Sequence, residues 1–170
     1  MKFVITILFI LCVKFSFGQQ IVLDSLLKII DYKITNYESD KYYDETLNFQ
    51  LENFPLENAS LSASKKNKQL IKLVLNASNE NAKQLNVYYF NNNELIFAKS
   101  AESNASEQQD YLTYLETKSY FVNEKLVHQI DSSDVITSYS QEYLLAAGES
   151  ILDEVNALKL LLSTKDLGQN

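Results

Sequence analysis

Residues 88–97 read YYFNNNELIF, and residues 119–128 read SYFVNEKLVH. Both fit one template: Tyr-Phe-x-Asn-x, then an acid or base, then Leu and an aliphatic residue. The central Asn92-Asn93 pair decides how the phrase folds. Asparagine enters the left-handed backbone region more readily than most residues. A type I′ turn needs that conformation at both central positions. Aromatic and β-branched residues, which favour strands, flank the pair. Each copy therefore predicts a tight β-hairpin, turning at Asn92-Asn93 and at Asn123-Glu124.

A weaker third copy lies upstream. Residues 63–72 read ASKKNKQLIK, with Asn67-Lys68 at the turn, Leu70-Ile71 in the Leu-aliphatic slots and Ser64-Lys65 in place of the aromatic pair. Three hairpins predict six strands, near 59–66, 69–77, 84–91, 94–101, 111–122 and 125–131. The intervening segments are rich in Asn, Ser and acid, and Pro55 marks a loop before the first strand. This spacing predicts an antiparallel meander.

Strand alternation sorts the side chains into two faces. With plain two-residue turns, Phe90 falls opposite Leu95, Tyr88 opposite Phe97, Tyr89 opposite Ile96 and Val87 opposite Ala98. In the later copy Phe121 falls opposite Leu126, Ser119 opposite His128 and Tyr120 opposite Val127. One face then gathers Leu70, Val74, Tyr88, Phe90, Phe97 and Phe121. The other gathers Ile71, Leu73, Leu75, Tyr89, Ile96 and Tyr120. Both are apolar near the turns, whereas a sheet with one solvated face alternates cleanly. Each face thus needs a cover, unless one is a binding surface.

Helices are expected at both ends. Leu23, Leu26, Leu27, Ile30, Ile34 and Tyr37 recur at spacings of three and four, which predicts an amphipathic helix over Ile21–Tyr37. Leu144, Leu145, Ile151, Leu152, Val155, Leu158 and Leu162 form a second stripe, predicting a helix to about Ser163. Ser138 or Ser140 can cap it, and Ser138 with Gln141 fits a capping box. Gly148 lies on that stripe, where it permits close approach to the sheet. The expected fold is α+β: a meander of about six strands between an N-terminal and a C-terminal helix.

The first residues, MKFVITILFILCVKFSFGQQ, carry Lys2, an apolar run from Phe3 to Val13, and small Ser16 and Gly18. This is the pattern of a signal peptide cleaved after Gly18, with a single domain over 19–170. Cys12 raises a lipoprotein signal as a rival, but Leu11 stands where that signal needs a small residue. The expected location is periplasmic or secreted. The run is shorter than a comfortable membrane span.

Among 170 residues there are 22 acids and 15 lysines, and no arginine. Cleavage removes Lys2 and Lys14, leaving 13 lysines against 22 acids, a net charge of −9. Nucleic-acid phosphates and anionic membranes need clustered cations, so both are poor partners for this chain. Residues 19–170 contain no cysteine, which excludes disulfides, thiol catalysis and Cys-ligated metal within them. Abundant Asn, Lys and Ile without Arg points to an AT-rich genome and an exporting bacterium.

No cofactor or catalytic motif stands out. His128 is the single histidine; it matches Phe97 in the repeat and reads as a sheet residue rather than a base or metal ligand. Acid groups at Glu38/Asp40/Asp44/Glu45, Asp131/Asp134 and Asp153/Glu154 read as solvated surface. Three Asn-Ala-Ser sites, at Asn58, Asn76 and Asn104, fit the N-glycosylation acceptor but are silent in most bacteria. Tyrosines are ordinary strand residues, yet they also stack on sugars and anchor partners. Tyr89 and Tyr120 recur at matching repeat positions and are the better candidates.

The phrases Tyr89-Phe90-x-Asn92-x-Glu94-Leu95-Ile96 and Tyr120-Phe121-x-Asn123-x-Lys125-Leu126-Val127 resemble the YF-[DN]-[NG]-x-L hairpins of a loose group of exported bacterial proteins. In that group the hairpins lie between terminal helices. The resemblance spans roughly residues 21–165 and implies an architecture, not an activity. This chain departs from it by lacking Gly in all three turns. The expectation is therefore a non-enzymatic binding module for an unknown protein or small ligand, contacting its partner through the Tyr89/Tyr120 face or pairing with itself through an apolar sheet face. The alternative is a small-ligand carrier or inhibitor with a pocket between sheet and helix, lined by Tyr88, Phe97 and His128.

Overall fold

The computed structural model describes residues 22–39, 42–52, 54–104, 113–132 and 139–167. The predicted signal segment, the first two residues of the strand expected at 111–122, Asp40, Asp134 and the Ser138 cap lie outside these residues. The chain divides into two compact units, Met1–Glu38 and Ser39–Asn170. The first contains a helix, α1, over 22–37. Within it the Thr35 hydroxyl donates to the Asp31 carbonyl at 2.9 Å, one turn back.

The second unit is an antiparallel meander packed on one helix. Its strands are β1 (Glu45–Leu51), β2 (Asn58–Lys66), β3 (Gln69–Ser78), β4 (Ala82–Asn91), β5 (Glu94–Asn104), β6 (Thr113–Val122) and β7 (Lys125–Asp131), followed by α2 (Gln141–Leu167). Spatial order follows chain order, so every strand pairs with its sequence neighbours. The α+β meander between terminal helices is as expected, with one strand more than expected. β1 lies between the first helix and Pro55, in a stretch for which the sequence predicts no strand. Its Leu47, Phe49 and Leu51 alternate with Thr46, Asn48 and Gln50, and the apolar set faces the core.

The three Asn turns form as the repeat predicts. Asn67 and Lys68 have φ of 49° and 65°, Asn92 and Asn93 of 53° and 67°, Asn123 and Glu124 of 50° and 59°. Positive φ at both central residues is the type I′ signature, and its twist matches the flanking strands. Asp44 Oδ2 accepts the Asn67 N–H at 2.7 Å, tying β1 to the first turn. At the opposite end of the sheet, Asn79 Oδ1 accepts from the N–H groups of Asn81 and Ala82 at 2.9 and 2.7 Å.

The register departs from plain pairing, and it does so identically in each hairpin. Lys65 pairs with Leu70 but Ser64 with Lys72; Phe90 pairs with Leu95 but Tyr89 with Phe97; Phe121 pairs with Leu126 but Tyr120 with His128. Ile71, Ile96 and Val127 are each an extra residue, a β-bulge directly after the recurring Leu of the template. A bulge places two residues against one and increases the local twist. It also resets which face every later residue occupies.

This corrects the face assignment. Tyr88 lies opposite Ala98, not Phe97, and Ser119 opposite Gln129, not His128. Phe97 and His128 therefore share the face of Tyr89 and Tyr120. Leu73 and Leu75, expected beside Tyr89, belong instead with Phe90.

The core lies between the Phe90 face and α2. Phe49, Leu61, Leu73, Leu75, Phe90 and Phe121 meet Val155, Leu158 and Leu162 of the helix. Burying each such side chain stabilises the fold by about 1.5–3 kcal/mol before entropy is counted. α2 is preceded by Ser140, whose Oγ accepts the Tyr143 N–H at 3.2 Å as an N-cap. It crosses the sheet from β7 inward. Gly148 rests on Leu126, Glu154 on Asn86, and the Lys159 ammonium donates to the Asn93 carbonyl at 3.1 Å.

Candidate functional site

The bulges disperse the residues expected to line a pocket. Tyr88 faces α2, while Phe97 and His128 lie on the opposite face with Tyr89 and Tyr120. There the rings form a row across β4, β5, β6 and β7. Tyr89 and Phe97 have centroids 6.0 Å apart, Phe97 and Tyr120 5.0 Å, Tyr120 and His128 6.1 Å. Tyr89, Phe97 and Tyr120 are each only 5% exposed. The same face carries an ion cluster, with Lys99 2.7 Å and Lys118 3.4 Å from Glu116.

Among the described residues, two cavities lie on the α2 face. The larger, about 570 Å³, is an open groove between β7 and the N-terminal half of α2. Leu126 and Val127 form its strand side; Leu144, Leu145 and Leu152 form its helix side. Leu145, counted in the sequence as part of the core stripe, is 63% exposed. Among the described residues, Glu124, Glu142 and Glu149 surround the groove with only Lys125 against them. β7 pairs with β6 on its inner side and is the last strand of the sheet.

The smaller cavity, about 270 Å³, is also half-open and sits between α2 and the end of the sheet away from the Asn turns. It is polar where the rest of this face is apolar. Asn86 is 3% exposed and Ser119 2%. Asn86 Nδ2 donates to Glu154 Oε1 at 2.9 Å, and Asn86 Oδ1 accepts from Ser100 Oγ at 2.9 Å. The Tyr88 hydroxyl joins this network through Glu154 and Asn86. Burial raises its pKa far above the ordinary phenol range, and the Glu154 charge and hydrogen bond raise it further. Tyr88 is thus a fixed neutral donor. Gln129 Oε1, at the cavity edge, is buried without a hydrogen-bond partner among the described residues.

Sequence reasoning missed this network. Its signal was a break in alternation: Asn86 and Ser119 each stand two residues before a core aromatic, Tyr88 or Phe121, where an apolar residue is expected. Ser100 gave no such signal, because its face depends on the bulge at Ile96. Glu154 was read as solvated surface, and Asp44 likewise; both instead accept specific hydrogen bonds. Asp131 accepts one from Tyr139 Oη, and Tyr139 stacks on Tyr143 with centroids 4.6 Å apart. Among the described residues, no three His, Cys, Asp or Glu converge as metal ligands, and no helix is long and apolar enough to cross a membrane.

Compared with known proteins, the chain matches no family model, no curated protein and no solved structure at a significant level.

Proposed function

We propose that this chain is a non-enzymatic, exported binding module, periplasmic or secreted, that takes an extended segment of a partner protein into the groove between β7 and α2. The observation that carries this reading is the groove itself. It holds half-open apolar surface beside an edge strand, with Leu145 63% exposed. An edge strand offers backbone N–H and C=O groups to an added strand, and flanking apolar pockets then read alternate side chains. Three glutamates against one lysine around the groove favour a segment carrying Lys or Arg beside its apolar residues. The burial of Tyr89 and Tyr120 directs this proposal away from the aromatic face, both for a foreign partner and for a second copy. Export is supported by the N-terminal pattern of Lys2, apolar run and small Ser16 and Gly18.

Selection from a displayed random-peptide library tests the reading. The expected winners alternate apolar and basic residues, bind less tightly as salt rises, and lose about tenfold or more in affinity on Leu145→Asp. Leu145 is exposed, so this variant still folds. Winners without basic residues, or affinity unchanged by Leu145→Asp, would overturn it.

A further inference from the structure

From the polar cavity beneath α2 we infer a second, independent site for a small organic ammonium ion. Four observations converge on that chemistry. First, the cavity breaks an otherwise apolar core face: Asn86 and Ser119 are almost fully buried where Leu or Phe would pack. Buried polar groups cost stability unless satisfied, so such a patch in a core is the informative exception.

Second, the charge in the cavity is of one sign. Glu102 and Glu154 line it. Lys99 also contributes to the wall, but its ammonium pairs with Glu116 at 2.7 Å on the opposite face of the sheet. Glu154 is held by two neutral donors, Asn86 Nδ2 at 2.9 Å and the Tyr88 hydroxyl, and by no cation among the described residues.

Third, the unused capacity is acceptor capacity. Gln129 Oε1 is buried and has no donor among the described residues. A carboxylate has about four acceptor sites, so the half-buried Glu154 can accept beyond Asn86 and Tyr88, and the exposed Glu102 carboxylate stands at the rim. An ammonium brings three N–H donors and the missing charge, and charge-assisted hydrogen bonds are the strong ones. An anion would meet two carboxylates, and a neutral apolar molecule would leave these acceptors bare.

Fourth, the size and the remaining walls fit a short carbon chain. The cavity is about 270 Å³, with Ala98, Ala147, Ile151 and the Tyr88 ring beside the polar groups. That volume falls just below the usual range of ligand pockets, about 300–1,000 Å³, and suits a small molecule. The ammonium sits on Glu154 and the chain lies along Ala147 and Ile151.

The test uses the whole chain and three probes of equal chain length: butylammonium, butanol and butyrate. Binding is followed by backbone amide shifts. Butylammonium is expected to saturate, with shifts concentrated at Ser100, Ser119 and Gln129, while butanol and butyrate produce none of comparable size. Glu154→Gln keeps an acceptor for Asn86 and is expected to weaken butylammonium by roughly tenfold. If that variant does not fold, Ala147→Leu decides, because it fills the cavity from the helix side and should abolish binding. Absence of saturable shifts with butylammonium overturns the inference. So does binding that survives Glu154→Gln in folded protein, or that survives Ala147→Leu. Leu145→Asp lies outside this cavity and should leave butylammonium binding unchanged, which separates this site from the groove.

Discussion

At the scale of single residues, the polar network under α2 sets the most specific demands. Tyr88 donates to the half-buried Glu154 carboxylate, and its proton is held by burial and by Glu154. Tyr88→Phe removes that donor while keeping the ring. The expected cost is about 1–3 kcal/mol at neutral pH, because Glu154 is left with less than it needs. The pH dependence follows from the direction of the shift. A phenol whose folded pKa is raised gives stability that is present below the unfolded value of about 10 and is lost as pH rises above it. Urea unfolding at neutral pH and near pH ~11 should therefore show the gap between wild type and Tyr88→Phe shrinking with pH. A gap that widens would contradict the assignment. Turn residues carry the opposite kind of strain. Lys68 sits at φ 65° with an exposed side chain. Lys68→Gly should stabilise by about 0.5–1 kcal/mol in thermal or denaturant melts, since glycine accepts that conformation without steric cost.

At the scale of elements, the repeated phrase encodes more than a turn. Its Asn sets the type I′ geometry, its Leu pairs across the strand, and the aliphatic residue after Leu is the bulge. The turn was legible because positive φ selects a short menu of residues. The bulge was not, because Ile71, Ile96 and Val127 look like any β-branched strand residue, and only pairing with a neighbour reveals that one is surplus. β1 was missed for a related reason: its alternation is short, and it follows acid-rich sequence. The contact of α2 with β7 was legible in part. Gly148 marked the approach, but its tightness is a tertiary fact. A Cβ there would stand 3.0 Å from Leu126 Cβ and 3.5 Å from the Leu126 backbone nitrogen. Gly148→Ala gains about 1 kcal/mol in helix propensity. Overpacking against a strand backbone costs about 1–3 kcal/mol. The variant should melt below wild type, whereas Gly→Ala in an open helix position would melt above it.

At the scale of the whole molecule, the sheet and α2 share one core. A chain ending before Gln141 keeps all seven strands but bares Leu61, Leu73, Phe90 and Phe121. It should show no cooperative unfolding transition and should bind an apolar environment-sensitive dye, because a sheet with one naked apolar face cannot hold a unique packing. A folded, cooperative truncation product would mean the hairpins are stabilised in some other way. The amino-acid sequence by itself determined the class of fold: three asparagine turns make hairpins, and two amphipathic stripes make helices. These are local consequences of backbone sterics and of periodicity, and a few adjacent residues carry each. Only the tertiary structure decided which faces those residues share. The one-residue bulges at Ile96 and Val127 moved Phe97 and His128 away from Tyr88, and the first brought Ser100 to Asn86, which in turn holds Glu154. Because side chains alternate with a period of two, one surplus residue reverses everything after it along the strand. The candidate sites depend on that parity, so they emerge only when the strands are paired.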